Sequence, residues 1–401
     1  MSDDFKRKLK QYADGTLPDG EREEMEREIA KMEAYQAYLD EMMDGGDGGR
    51  KPEQPIEDEP REAKKERSII RRGKWKARFV NTLTVLAVLL LVTVVSSVIT
   101  GMYYGTGEPN RTAIYRDVVT SAVAVSHPNT SVHLNGQGNA FFTMDLKGKL
   151  HKRVGDDDVI TGDYSVRFLL GLASSPQISR MDEGVDGKYT FVHPAFKQAA
   201  GDGKEASHAD DGDWATLEKL PEGTVAEAFL SFGKLFETDE LLGLFENKNL
   251  QPLWFAADTG PDSWRNDSGV VPDPVGFPYW PVWHESDRKV DYYKEEKSGW
   301  FGKVVMSGGS YPALNAYGDG ELRNENFLNT LSLLRSYKSV AKRMVPFLDI
   351  DSSIGYIEQN GVKLYGAVVT GPVKELLKLR EEPWITRLQV GEVRLWNWTD
   401  R

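Results

Sequence analysis

Between residues 79 and 104 the chain carries no charged side chain, and the stretch just before it is densely basic. At about 1.5 Å of rise per helical residue, this run exceeds the roughly 20 residues that cross a hydrocarbon core. The chain is therefore expected to span a membrane once, with residues 79–104 as the transmembrane helix. Residues 61–78 hold nine basic side chains against Glu62 and Glu66, whereas residues 102–117 hold two of each sign. By the positive-inside rule the N-terminus belongs in the cytoplasm and the C-terminal part outside it. Trp75 on one side and Tyr103 and Tyr104 on the other stand where interfacial aromatics anchor a spanning helix. A cleavable signal peptide would sit close to residue 1, so this segment reads as a retained anchor. The competing reading, a buried core helix, demands an unusually long uncharged run. Within the span, Thr93, Ser97 and Gly101 recur every four residues, a small-residue ridge that suits close approach of a second membrane helix, with lipid-facing placement as the alternative.

The crossing divides 401 residues into a short arm and a much longer external part, ample for one large or two small domains with a core. The chain has no cysteine, which excludes disulfides, thiolate metal sites and a cysteine nucleophile. Its net charge of −12 hides a division. Residues 1–60 carry 18 acidic and nine basic side chains, while residues 61–78 are strongly positive. An acidic arm disfavours direct nucleic-acid binding and favours a basic protein partner.

In the arm, residues 2–13 read as a short amphipathic helix with Phe5, Leu9 and Tyr12 on one stripe and Gly15 to stop it. Thr16-Leu17-Pro18-Asp19 resembles a capping box with proline in the first turn, opening a second helix that runs to about Met43. Its apolar positions Met25, Ile29, Met32, Leu39 and Met43 follow a four-three rhythm broken at Gln36, with Tyr35 and Tyr38 flanking. The glycine cluster 45–49 ends it, and residues 46–78 form a linker, acidic and then basic, whose part 50–60 reads as a disordered tether. Two helices of this size cannot form a stable domain from one shared stripe. Phe5, Leu9, Tyr12, Met25, Ile29, Met32, Tyr35 and Leu39 are accordingly the candidate partner-binding face of residues 1–45. A self-associating hairpin or a coiled-coil dimer is the alternative.

The external part reads as α+β. A juxtamembrane helix over residues 114–126 precedes strands at 131–134, 140–153 and 159–170, which alternate in antiparallel fashion. Residues 105–200 thus make a helix and a β-rich unit, and a Gly-, Asp- and Lys-rich gap at 201–213 opens a second unit, 201–401. There the pattern predicts helices over 224–233 and 237–246, a strand at 253–257 and a long helix over 325–344. A strand at 362–369, a turn at Thr370-Gly371-Pro372, a helix over 373–379 and a last strand at 390–396 follow.

Several of these residues resemble a known family. Trp214-Ala215-Thr216-Leu217-Glu218-Lys219-Leu220-Pro221-Glu222-Gly223-Thr224-Val225-Ala226-Glu227-Ala228 resembles the C-terminal domain of the sigma-factor regulators found in Bacillus-type membrane anti-sigma proteins. So do Trp254 with Asp258-Thr259-Gly260, and Gly361-Val362-Lys363-Leu364-Tyr365-Gly366-Ala367-Val368-Val369-Thr370-Gly371-Pro372. The pattern Phe5, Leu9, Tyr12-Ala13-Asp14-Gly15 and then Met32-Glu33-Ala34-Tyr35-Gln36 is similar to the start of such regulators. The resemblance implies an arm that sequesters an extracytoplasmic-function sigma factor. It also implies an external domain that receives an envelope signal or holds a second small membrane protein. The histidine-and-cysteine zinc signature of many anti-sigma proteins is missing, so no metal or other cofactor is carried over.

Enzyme signatures are absent: there is no His-Glu-x-x-His, no Gly-x-Ser-x-Gly and no phosphate-binding glycine loop. His127, His133, His151, His193, His208 and His284 are scattered without ligand spacing and read as surface or capping residues. His208-Ala209-Asp210-Asp211-Gly212-Asp213 lacks the register of a calcium loop and reads as a solvated acidic loop. Phe277-Pro278-Tyr279-Trp280-Pro281-Val282-Trp283 is either core or an aromatic ligand platform. The chain thus reads as a non-enzymatic regulator, the alternatives being a membrane receptor or a cell-wall-binding protein with another cytoplasmic partner.

Overall fold

The structure, a computed structural model, describes residues 7–8, 11–12, 14–16, 18–43, 61–181, 190–195, 213–263, 269–284, 287–298 and 302–396. The chain divides into two compact units, Met1–Thr82 and Leu83–Arg401. In the first, helix α1 spans Asp19–Met43. Pro18 supplies the carbonyl that accepts from the Glu21 and Arg22 amides at its start, as a proline ahead of a first turn can. The Thr16 hydroxyl donates to the Gln11 carbonyl and closes the turn before this helix. The tether expected at 50–60 lies outside the described residues.

Helix α2, Arg61–Gly105, is one continuous helix through the uncharged run. Gly105 ends it, and Asn110 then caps helix α3, Arg111–Ser126, by accepting from the Ala113 amide at 2.9 Å. The expected strands follow as β1 (Ser131–Gly138), β2 (Thr143–Val154) and β3 (Asp157–Leu169). With β4 (Leu172–Ala173) and β5 (Gln177–Arg180) they form an antiparallel sheet of order β1-β2-β3-β4, β5 also pairing with β3.

The second sheet is the centre of the C-terminal half. Its order is β10-β8-β13-β7-β14, all antiparallel, with β7 Thr224–Phe236, β8 Gln251–Ala257, β10 Gly276–Pro278, β13 Leu364–Pro372 and β14 Ile385–Leu395. Two sequence expectations fail here. Residues 224–233 are not a helix but most of β7, buried along nine consecutive positions from Thr224 to Phe232. A strand covered on both faces loses the polar alternation that marks strands in a sequence, and Ala226-Glu227-Ala228 then mimics a helix. Thr370-Gly371-Pro372 is not a turn either: β13 continues through it, pairing Thr370 with Glu227 and Gly371 with Ala226. Gly371 is there for close approach, since a Cβ would stand 2.6 Å from Leu250 Cδ2.

Short helices α4 (Trp214–Glu218), α5 (Thr238–Phe245), α7 (Lys338–Met344) and α9 (Val373–Lys378) and longer ones α6 (Gly320–Ser336) and α8 (Ile350–Asn360) complete the unit. The long helix expected over 325–344 is broken at Tyr337, whose φ of −114° and ψ of 43° leave the helical region. A small pair β6 (Phe191–Val192) and β9 (Val270–Val271), and the hairpin β11 (Lys289–Ser298) with β12 (Gly302–Ser310), had no clear sequence signal. Helix α3 touches β1, β10, α6 and α7 and so links the two large sheets. One continuous apolar core runs from Val118, Val123 and Phe168 through Phe255 and Leu331 to Leu388. The mixed α+β expectation holds, and helix α3 and strands β1 to β3 share their core with the rest.

Candidate functional site

The candidate partner-binding stripe is divided by the structure. Lys8 Nζ lies 3.2 Å from Glu21 Oε2, and the Tyr12 hydroxyl donates to Glu26 Oε1 at 3.1 Å, tying the segment before Gly15 to the first turns of α1. Partial burial and the neighbouring Glu26 carboxylate both push the Tyr12 phenol above its ordinary pKa. Met25 is buried and Ile29 half-buried, whereas Met32, Tyr35 and Tyr38 are 42%, 67% and 56% exposed. Phe5 and Leu9 lie outside the described residues, as does the side chain of Leu39. Tyr38, read only as a flanking residue, is thus more open than Met25, Ile29 and Met32 of the stripe, a fact that helical spacing could not decide.

Helix α2 exposes its apolar side chains from Phe79 to Met102. Its portion Arg72–Gly105 is long and apolar enough to cross a membrane, and none of the apolar window is buried, unlike the core helix that the sequence left as an alternative. The Thr93 and Ser97 hydroxyls donate to the carbonyls four residues back, Leu89 and Thr93, each at 2.8 Å. The ridge is thereby satisfied internally.

In the C-terminal unit the six histidines do not all behave as surface residues. His193 and His284 are buried. His193 Nε2 lies 3.7 Å from Asp258 Oδ1, and Asp258 also accepts from the Gly260 amide at 3.0 Å and the Tyr356 hydroxyl at 2.9 Å. Burial alone would push the Asp258 carboxyl up, but these hydrogen bonds outweigh it and hold the pKa below the usual carboxylate value. Ser121 Oγ stands 2.7 Å from His284 Nε2, and His284 Nδ1 3.3 Å from Asp287 Oδ2. This is the connectivity of a hydrolytic triad. Ser121, however, is fully buried in the middle of α3, where no carbonyl can reach its oxygen, and the three residues fasten the loop before β11 to that helix. His208 lies outside the described residues. Among those residues no group of three His, Asp or Glu side chains is placed to hold a metal ion.

The aromatic segment 277–283 is part core and part surface. Phe277 and Tyr279 are buried, while Trp280 is 51% exposed. Arg323, itself buried, donates to the carbonyls of Gly318, Tyr279, Asn315 and Ala316 and lies over the Tyr279 ring. Burial lowers its pKa. It fixes one wall of a cleft of about 400 Å³ that Asp156, Gln251, Trp280, Tyr317 and Trp396 help to line. The cleft joins the β2–β3 turn to the end of β13. Nothing in the sequence pattern singled Arg323 out, since its helix also carries Arg335.

The seam between the two large sheets is polar. Glu227, the fourth residue of β7, has no exposed surface. It accepts from Lys152 Nζ at 3.1 Å, Asn129 Nδ2 at 2.7 Å and the Glu392 amide at 3.1 Å. The β14 register slips between Val390 and Val393, so Gly391 and Glu392 together face Glu227. A Cβ at Gly391 would stand 2.2 Å from Glu227 Oε2, which explains the glycine. Thr370 continues the seam by accepting from the Gly155 amide at 2.7 Å. Glu227, Thr370 and Gly371, quoted above for a family resemblance, therefore have structural work that the sequence did not disclose.

Two family models of the sigma factor regulators together match most of the chain, which belongs to that family. Residues 67–159 match the family's N-terminal model and residues 217–392 its C-terminal model. Over 410 aligned residues, covering 99% of this chain and 100% of the other, it is 28% identical to the probable anti-sigma-M factor YhdL of Bacillus subtilis (strain 168). The resemblance to Bacillus-type anti-sigma proteins is thus borne out. No solved structure matches the chain.

Proposed function

We propose that the chain is a single-pass membrane anti-sigma factor. Its N-terminal arm sequesters an extracytoplasmic-function sigma factor in the cytoplasm, and its C-terminal unit receives an envelope signal on the other side. The observation that carries this reading is the arm helix, which exposes Met32, Tyr35 and Tyr38 in a chain similar over its whole length to a probable anti-sigma-M factor. Exposed Met and Tyr on one helix are anchors of the kind that dock into an apolar groove, and the acidic arm adds charge complementarity to a basic partner. Met25 and Ile29, being buried and half-buried, belong to the internal support of the arm. Residues 1–45 are the proposed binding region, and a second small membrane protein is a further candidate partner of the span.

The test is affinity of the detergent-solubilised chain for candidate sigma factors after Tyr35→Asp and Met32→Asp. Truncating a central anchor costs about 2 kcal/mol or more, and a second substitution raises the loss to about 4 kcal/mol. At 1.4 kcal/mol per decade the pair should weaken binding by roughly a thousandfold, with the helical signal of the arm unchanged. Unaltered binding refutes the face.

A further inference from the structure

The end of the first sheet nearest helix α2 is apolar where it should be polar. Its two adjacent connections are residues 139–142, between β1 and β2, and Leu170-Gly171, between β3 and β4. Register places them side by side, since Thr143 pairs with Leu169 and Phe168 with Ala173. The Leu170 amide donates to the Phe142 carbonyl at 3.1 Å and locks the two together. Phe141, Leu169, Leu170 and Leu172 project from these tips at 53%, 49%, 54% and 68% exposure.

The turn chemistry sharpens the anomaly. Leu170 and Gly171 both have positive φ, 49° and 84°, as a two-residue hairpin of the type I′ kind requires. In water its first position favours Asn, Asp or Gly. Phe141 and Phe142 are also left-handed, with φ of 60° and 55°, which is an outlier for bulky side chains and clusters where function demands it. A contiguous apolar patch of this kind marks a surface that something covers.

The chain itself indicates what covers it. The Phe141 amide donates to Ser96 Oγ at 2.7 Å and the Phe142 amide to Thr100 Oγ1 at 2.9 Å. The Tyr104 hydroxyl donates to the Phe142 carbonyl at 3.0 Å. These partners are on α2. Counted from Phe79, the first residue after the last charge, the roughly 20 residues of a hydrocarbon crossing end near Val98. Ser96 lies about 3 Å inside that boundary and Thr100 about 3 Å beyond it. The loop tips are held at the depth where acyl chains meet headgroups. Arg111, whose Nη1 donates to the Tyr103 carbonyl at 2.8 Å, sits beside them at headgroup level.

We infer that the tips carrying Phe141, Leu169, Leu170 and Leu172 are seated in the lipid bilayer beside the spanning helix, so that the C-terminal unit rests in the membrane surface instead of hanging from a free tether. The inference rests on the spanning reading of α2. Lateral tension, lipid composition or a lipid-binding molecule would then act directly on the sheet whose other end meets the seam at Glu227.

Because the chain has no cysteine, single-cysteine variants report one position each. Leu170→Cys, Leu172→Cys, Leu90→Cys and Asp157→Cys are labelled with an environment-sensitive fluorophore, and the full chain is reconstituted into phosphatidylcholine–phosphatidylglycerol vesicles. Expected are blue-shifted emission and quenching by acyl-chain nitroxide lipids at 170, 172 and 90, with quenching by aqueous iodide at 157, the far end of β3. Lipid quenching at 90 with iodide quenching at 170 and 172 overturns the lipid seat and leaves the spanning reading standing. Iodide quenching at 90 overturns both. Probes at 170 and 172 shielded from both quenchers mean that protein covers the tips, which also overturns the proposal.

Discussion

Removing the carboxylate of Glu227 should loosen the seam between the sheets more than any other single polar truncation. The side chain has no exposed surface, and Lys152, its ionic partner at 3.1 Å, is only 16% exposed at the side chain. In Glu227→Ala the lysine ammonium, the Asn129 amide and the Glu392 amide lose their acceptor together. Breaking a buried pair from one side costs about 3–5 kcal/mol. Lys152 retains some solvent access, which favours the lower half of that range. For a unit of this size each kcal/mol shifts Tm by about 2 °C, so the expected drop is about 6–8 °C. Glu227→Gln keeps the shape and one acceptor oxygen and should lose roughly half as much. Replacing both partners with apolar residues, Glu227→Leu with Lys152→Met, should recover much of the loss, because no charge is then left buried. The assay is thermal unfolding of the detergent-solubilised full chain at pH 7.5, followed by near-ultraviolet circular dichroism and calorimetry. Glu227→Ala within about 1 kcal/mol of the parent, or a double variant no more stable than Glu227→Ala, would refute the reasoning.

Two further outcomes are expected. His127, partly buried at the end of α3, has its pKa lowered first by desolvation and then by Arg180 and Lys152. A folded pKa below the unfolded one means that its contribution is present above about pH 6.5 and is lost as pH falls below that value. The parent should therefore lose Tm between pH 7.5 and pH 5 more steeply than His127→Gln, and equal slopes would remove His127 as a source. Protease added to intact protoplasts should trim the C-terminal unit and spare an N-terminal tag, following the charge asymmetry around residues 79–104; loss of the tag means the opposite orientation.

Local patterns made much of the architecture legible. Arg111–Ser126, Thr143–Val154, Asp157–Leu169 and Thr238–Phe245 each carry their own periodicity and end signals, and each was found within a few residues of its expected place. The signal failed where an element is defined by its neighbours. Strand β7 is buried on both faces between β13 and β14, so it shows no alternation to read. At Thr370-Gly371-Pro372, turn-forming residues sit in a strand because the glycine admits Leu250 and the threonine accepts from Gly155. For the candidate arm stripe, spacing put Met25, Met32 and Tyr35 together, and burial separated the first from the other two.

The sequence by itself determined the uncharged run and its basic flank, the amphipathic arm, the α+β class and the family signature, because length, charge and short-range periodicity are properties of consecutive residues. Only the tertiary structure decided that Ser121, His284 and Asp287 meet, that Glu227 is the keystone of a seam with Lys152, Asn129 and a bulged β14, and that Phe141 and Leu170 converge at Ser96 and Thr100 of the apolar helix. Those partners stand up to 165 residues apart along the chain. Contacts at such separation leave no periodic trace, since their geometry is set by how the sheets pack and not by the residues on either side.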